Sequence, residues 1–209
     1  LNRLEGRPKV ILKVAMSLDG YITKHKKKRT SITNRNVNRF SNILRSEFDG
    51  ILVGSNTVKV DNCLLTCREE VLKKYSPLRI ILNKDFDLNI KYKIFKNCVN
   101  YRTILITKKE KLKKKLEFQK QNIEVYSLNS KYNLNNILKL LAKLGITNLL
   151  VEGGSRIFTN FLKNQLFDEI FLFRSNFFVG SKGLNLTEYE EYDFSNMKFP
   201  LAVIYLHPY

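Results

Sequence analysis

The stretch Leu52–Arg68 reads Leu-Val-Gly-Ser-Asn-Thr-Val-Lys-Val-Asp-Asn-Cys-Leu-Leu-Thr-Cys-Arg and holds a hydroxyl, a carboxylate and a guanidinium at short spacing. An apolar strand there runs into a small-residue turn and a short helix beginning near Gly54. Thr57 falls in the first turn of that helix, its hydroxyl available to a phosphate or a ribose, and Asp61 follows within a turn. Arg68 comes after a short loop. A guanidinium grips phosphate through paired hydrogen bonds, so Arg68 and Arg45 are candidates for holding a sugar phosphate. Taken singly, Arg45 is also explained as a solvated cation favoured by the dipole at the end of its helix.

A second constellation is Val151-Glu152-Gly153-Gly154-Ser155. A strand ends, two glycines follow, and Ser155 opens a helix. Glycine lets a ligand approach the backbone, and the amides of a helix N-terminus bind phosphate. This is the logic of a pyrophosphate site without the Gly-x-Gly-x-x-Gly fingerprint of a Rossmann unit. Alone, the glycine pair reads first as a tight turn. Glu152 stands at the carboxyl end of a strand, where open parallel sheets bind ligands, or else it is an exposed turn acid. A third stretch, Ala15-Met16-Ser17-Leu18-Asp19-Gly20, also follows a strand, and its Asp-Gly pair reads as a turn.

Other chemistries lack their residues. Cys63, Cys67 and Cys98 are three, an odd number without framework spacing, and the two histidines, His25 and His207, lie far off in sequence. No metal site is expected, and free thiols in a reducing cytoplasm are the simplest reading. There is no P-loop, no Gly-x-Ser-x-Gly and no zinc-deaminase signature.

These residues need a scaffold, and the hydrophobic pattern supplies one. Strands are predicted at Val10–Ala15, Gly50–Val53, Leu78–Leu82, Thr103–Thr107, Ile123–Tyr126, Thr147–Val151, Glu169–Phe173 and Ala202–Leu206. Helices are predicted at Asn34–Glu47, with Val37, Phe40, Ile43 and Leu44 on one face, at the very basic Lys108–Gln121, at Leu134–Leu144 with Gly145 as its stop, and at Ser155–Asn164. Alternating strands and helices make an α/β protein, a mostly parallel central sheet flanked by helices. The strand-rich last third allows antiparallel edge strands. Nothing divides the chain into two domains: residues 1–7 read as the end of a linker and 8–209 as one domain.

Composition adds a constraint. The 209 residues carry 37 Lys+Arg against 19 Asp+Glu, a net charge of +18. Such a charge suits solubility, the capture of small anionic substrates, or nucleic-acid binding. The lysine runs Lys26–Lys28 and Lys113–Lys115 have no interleaved aromatics, which argues against a single-strand stacking platform. No apolar run approaches the roughly 20 residues of a membrane helix, and Leu1–Lys9 is too polar for a secretory signal, so a cytoplasmic location is expected.

In this order, Lys13–Gly20, Asp49–Thr57, Leu65-Thr66-x-Arg68, Pro77-Leu78-Arg79 and Val151–Gly154 resemble the pyrimidine reductase domain that forms the C-terminal half of the bifunctional riboflavin biosynthesis proteins. The resemblance runs from about Pro8 to Gly183. It implies a fold similar to dihydrofolate reductase, a homodimer, and in bifunctional members a deaminase domain ahead of this one. It implies that NADPH reduces the ribosyl group of 5-amino-6-ribosylaminouracil 5′-phosphate to a ribityl chain. It would set Ala15, Thr57, Asp61, Gly153 and Gly154–Asn160, with Ser155 and Arg156 among them, around the cofactor. It would set Thr30 or Ser31, Arg45, Leu65, Arg68 and Glu152 around the phosphorylated substrate, with Asp61 or Glu152 orienting the opened sugar or relaying a proton. The chain departs from the family where Asp61-Asn62-Cys63 replaces Asp-Asp-Pro and where the substrate loop reads Lys26–Thr33, glycine-free and cationic. The alternatives are an NADPH reductase of another pteridine or pyrimidine and a basic nucleic-acid-binding module.

Overall fold

The computed structural model describes residues 6–24, 35–187 and 201–205. The strands are β1 (Lys9–Met16), β2 (Tyr21–Thr23), β3 (Gly50–Gly54), β4 (Leu78–Leu82), β5 (Thr103–Thr107), β6 (Ile123–Ser127), β7 (Asn148–Val151), β8 (Glu169–Arg174), β9 (Leu184–Asn185) and β10 (Leu201–Tyr205). The α-helices are α1 (Arg35–Arg45), α2 (Ser55–Asp61), α3 (Leu112–Gln119), α4 (Leu134–Lys143) and α5 (Ser155–Lys163). Eight strands form one sheet in the order β10-β8-β1-β7-β3-β4-β5-β6. Each of its pairings is parallel.

Parallel neighbours need crossovers, and the helices provide them. Strands buried on both faces become largely apolar runs, as in Leu78-Arg79-Ile80-Ile81-Leu82, where all five residues, Arg79 included, are buried. Alternation along β1 sorts the core into two layers. Val10, Leu12 and Val14 face Ile80, Ile104 and the apolar sides of α4 (Ile137, Leu138, Leu141) and α5 (Phe158, Phe161, Leu162). Ile11 lies in the opposite layer with Ile51, Val53, Ile81 and Leu105, under Val58 of α2 and Phe118 of α3. Phe118 is met edge-on by Phe86 and Phe95, with ring centroids 5.5 and 5.0 Å away. Helix α1 lays Phe40 against Phe173 of β8 at 5.9 Å.

Carboxylates tie the lower ends of the strands. Asp49, just before β3, accepts from Thr147 N, Thr147 Oγ1 and Asn148 N at 2.8, 2.6 and 2.8 Å, which sets β7 beside β3. Asp168, just before β8, accepts from Val10 N at 2.7 Å and from both Nη atoms of Arg7 at 2.8 and 3.0 Å. Gly145 follows α4 with φ +88°, the left-handed stop that a side chain would resist.

Two features differ from the sequence expectation. The last third adds parallel strands, β8 and β10, because each is reached by a long connection and not by a hairpin. Among the described residues, antiparallel pairing is confined to a separate ribbon of β2 and β9. Helix α3 starts at Leu112 and not at Lys108, because the amides of Lys108 and Lys109 donate to the Lys84 carbonyl and hold that stretch as a turn.

Candidate active site

In a sheet whose strands all run one way, the carboxyl ends gather along one rim. From β3 the chain steps outward through β4, β5 and β6, and it later returns to insert β7 between β3 and β1. Where the winding direction changes, the loops part and leave a crevice over the strand ends. Glu152, Arg45, Thr57 and Gly154 are brought together there.

Glu152 is the first residue beyond β7. Its carboxylate accepts from Arg45 Nε at 3.2 Å and Arg45 Nη2 at 2.9 Å, a side-on pair formed by the last residue of α1. Arg45 Nη1 also donates to Asn42 Oδ1 and the Thr66 carbonyl, each at 3.2 Å. Both members are shielded, with side chains 12% and 14% exposed. Burial raises the Glu152 pKa, but Arg45 and then Lys13 outweigh it and hold the carboxyl at about 2. Glu152 is therefore an acceptor at neutral pH. Arg45, with four bonds to protein acceptors, is a hub that joins α1, β7 and the loop after α2.

Lys13 is the third charge of this cluster, and the sequence reading passed over it. It projects from the middle of β1, its Nζ 5.0 Å above the Phe173 ring. Burial lowers its pKa, Glu152 pulls it back up, and Arg45 lowers it further. An ammonium so placed gives up a proton more readily than a surface lysine. The one visible sign in sequence is a lone Lys inside Val-Ile-Leu-Lys-Val-Ala-Met. Asn42 gives no such sign, because its role rests on lying one turn before Arg45.

Two helices start side by side on the same rim. Gly54 precedes α2 and Gly154 precedes α5, and neither N-terminus has a side-chain cap. The N-terminal turn of a helix favours an anionic ligand through its backbone amides and its dipole. The Thr57 hydroxyl lies about where the two meet: a Cβ built on Gly154 would be 4.0 Å from Thr57 Oγ1. Gly153 has a different reason to be glycine. A Cβ there would stand 2.6 Å from Ile157 Cβ, and one on Gly54 would meet Ile157 Cγ1 at 2.9 Å. Those two glycines seat α5 on the sheet, whereas Gly154 keeps the rim open. Ser155 is buried and its carbonyl accepts from Thr159 Oγ1, while Arg156 is exposed. Ala15 is half-buried near the end of β1, opposite Phe173 in β8.

Asp61 is half-buried and closes α2. Leu65 is buried in the core with φ +57°, and Arg68 is exposed but near enough to Glu152 to lower its pKa. Thr30 and Ser31 lie outside the described residues. Cys63 is a thiol, pushed up to about 11 by burial and by Asp61, and burial also raises Cys67. Asp19 turns away to the chain after β8. It accepts from the amides of Val179 (3.0 and 3.1 Å) and Gly180 (2.7 Å) and from Ser17 Oγ (2.6 Å). Desolvation pushes its carboxyl up, but the Ser17, Gly180 and Val179 bonds hold it at about 2.

The rim therefore carries two adjoining parts. One is an uncapped pair of helix N-termini with a hydroxyl and an open glycine, suited to a pyrophosphate. The other is a buried carboxylate bracketed by two cations beside an exposed arginine, suited to a polar sugar. Residues 8–202 match the family model described as the RibD C-terminal domain. The chain is 38% identical over 182 residues to the riboflavin biosynthesis protein RibD of Aquifex aeolicus, covering 87% of this chain and 50% of that protein. It is 31% identical to the 2,5-diamino-6-ribosylamino-4(3H)-pyrimidinone 5′-phosphate reductase of the same organism, over 85% of this chain and 81% of that one. Among solved structures, the deaminase/5-amino-6-(5-phosphoribosylamino)uracil reductase of Thermotoga maritima superposes with a TM-score of 0.73 at 31% identity, over 88% of this chain and 49% of that one. The chain thus spans about half the length of the two-activity relatives it matches. The fold is the dihydrofolate-reductase-like α/β arrangement expected from sequence.

Proposed function

The chain belongs to the RibD C-terminal domain family, and from that premise we propose that it is an NADPH-dependent reductase. It converts the ribosyl group of 5-amino-6-(5-phosphoribosylamino)uracil to the ribityl chain, in riboflavin biosynthesis. The observation that carries the reading is the meeting, on one rim, of the Thr57–Gly154 cradle and the Lys13–Arg45–Glu152 cluster.

NADPH, when bound, supplies the hydride. The residues present suit it. The N-terminal turns of α2 and α5, the Thr57 hydroxyl and the open side of Gly154 would hold its pyrophosphate, with Ala15, Asp61, Gly153, Ser155 and Arg156 around it. The rest of the chemistry is positioning. Arg68 grips the 5′-phosphate of the sugar. The loop Asn62–Arg68 walls the ribose. Glu152, held anionic, orients the opened sugar and keeps Lys13 and Arg45 in place. Lys13 holds the proton that the ring-opened nitrogen requires, at Nζ, where its lowered pKa favours release. The reading includes a homodimer and a cytoplasmic location, both on family grounds, and a preceding deaminase domain in the longer relatives. No helix among the described residues is long and apolar enough to cross a membrane.

The test follows NADPH absorbance with freshly made 5-amino-6-(5-phosphoribosylamino)uracil, with NADH as control. Turnover with NADPH is the expected result. NADPH binding in a thermal-shift titration without turnover would overturn the substrate and leave the cofactor.

A further inference from the structure

Arg79 takes no part in the chemistry above, yet it is among the largest wholly buried side chains. It is the second residue of β4, toward the amino end of the strand and away from the carboxyl ends that form the rim. Its Nη2 donates to the Tyr101 carbonyl at 2.8 Å and to Thr103 Oγ1 at 2.5 Å, and sits 3.4 Å from Cys98 Sγ. The guanidinium stacks 5.5 Å from the Tyr101 ring centroid, and Nε has no partner. Among the described residues no carboxylate pairs with it. A buried cation held only by neutral acceptors costs stability that an apolar side chain would not. Its presence therefore calls for a reason other than stability.

That reason lies at the remaining nitrogen. Nη1 reaches out of the sheet to the Leu64 carbonyl at 3.4 Å, in the loop that follows α2. This loop has an unusual backbone: Asn62 and Leu65 both have positive φ, 43° and 57°. A leucine keeps the left-handed conformation only where its surroundings enforce it. Here the enforcement comes from both sides. Arg79 takes the carbonyl before Leu65, and Arg45 takes the carbonyl after it, Thr66 O at 3.2 Å. The Leu65 side chain, 3% exposed, is locked into the core between them. Arg45 is in turn fixed to Glu152.

We propose that Arg79 is a positioning residue for the substrate loop. It clamps the peptide group before Leu65 so that Thr66 O meets Arg45 and Arg68 stands over the rim. The proposal rests on the reductase reading, which makes Arg68 a substrate contact. It deepens that reading by assigning a residue outside the site to affinity for the phosphorylated pyrimidine and not for the cofactor.

Arg79→Met is the direct test. It removes the clamp while leaving the old partners satisfied, because Thr103 Oγ1 donates to Tyr101 O at 2.8 Å and Cys98 Sγ reaches Phe95 O at 3.2 Å. Two readouts are taken on the whole chain. Hydrogen exchange of the peptide covering 62–68 should quicken about tenfold with the sheet peptides unchanged. The KM for the phosphorylated pyrimidine should rise about tenfold while that for NADPH stays within about twofold. Arg79→Lys, with a single donor head, should restore part of both effects. If Arg79→Met does not fold, Arg79→Lys is judged by the same split. Unchanged exchange in the loop, or equal rises in both KM values, overturns the proposal. If the wild-type chain turns over no pyrimidine, the reductase reading fails, and the exchange measurement alone decides the clamp.

Discussion

Glu152→Gln asks whether the buried pair governs the site. The amide keeps the shape of the side chain but removes the negative charge that Arg45 and Lys13 face. With the pair's side chains only 12% and 14% exposed, water cannot take its place. Holding a carboxyl at about 2 instead of 4.5 contributes about 3 kcal/mol at neutral pH. Breaking a buried pair from one side costs about 3–5 kcal/mol by mutational experience, which agrees. The expected result is a loss of about 3 kcal/mol in a urea melt at pH 7, read by circular dichroism, and a Tm lower by about 6–12 °C in a domain of this size. The sign of the pH dependence follows from the depressed pKa. The contribution is complete above the unfolded value near 4.5 and drains as the pH falls toward 2, so Glu152→Gln should flatten that part of the acid limb. Arg45→Met, combined with Glu152→Gln, should cost less than the two single changes together, by about 2 kcal/mol. A single-variant loss below about 1 kcal/mol, or strict additivity, would show the pair screened by solvent and refute the reasoning.

Four further outcomes follow from the geometry. Gly153→Ala drives a Cβ to 2.6 Å from Ile157 and should cost about 1–3 kcal/mol in the melt. Gly154→Ala should leave the melt alone and weaken NADPH in a fluorescence titration; matching melts for the two would undo the division of roles. Arg68→Ala should raise the KM for the phosphorylated substrate about tenfold with NADPH affinity and the melt unchanged, and an unmoved KM would take Arg68 out of the phosphate site. Asp19→Ala should quicken exchange at the amides of Val179 and Gly180, which its carboxylate now holds. Unaltered protection there would show the segment to be anchored by other contacts.

Much of this was legible in sequence where the cause is local. β4 and β5 are bounded as expected, since strands buried on both faces leave short, largely apolar runs. The ribbon of β2 and β9 was not legible: three residues pair with two across most of the chain, and short segments carry no period. The site shows the same split. Glu152 and Arg45 were identifiable as candidates by type and by place at element ends, and Arg68 by type and by its place in the loop after α2. Sequence pointed to Arg45 as a phosphate grip, whereas the fold spends four of its hydrogen bonds inside the protein. That outcome depends on a partner 107 positions away and on a backbone carbonyl, neither of which leaves a local trace. Lys13 was hidden in a strand whose apolar neighbours read as core.

The place of β1 also has a consequence in time. The first of the described strands lies between β7 and β8, two of the later ones. During synthesis, β3 through β6 can assemble with near neighbours as they emerge. β1, with Lys13 already upon it, has neither of its sheet neighbours until residues 148–174 have been made. The loop to be closed is long and the pairing parallel, both of which slow folding. The charges of the site are thus brought together by the late closure of the sheet's centre, and a chain stalled before that point would hold a bare apolar strand in search of an edge.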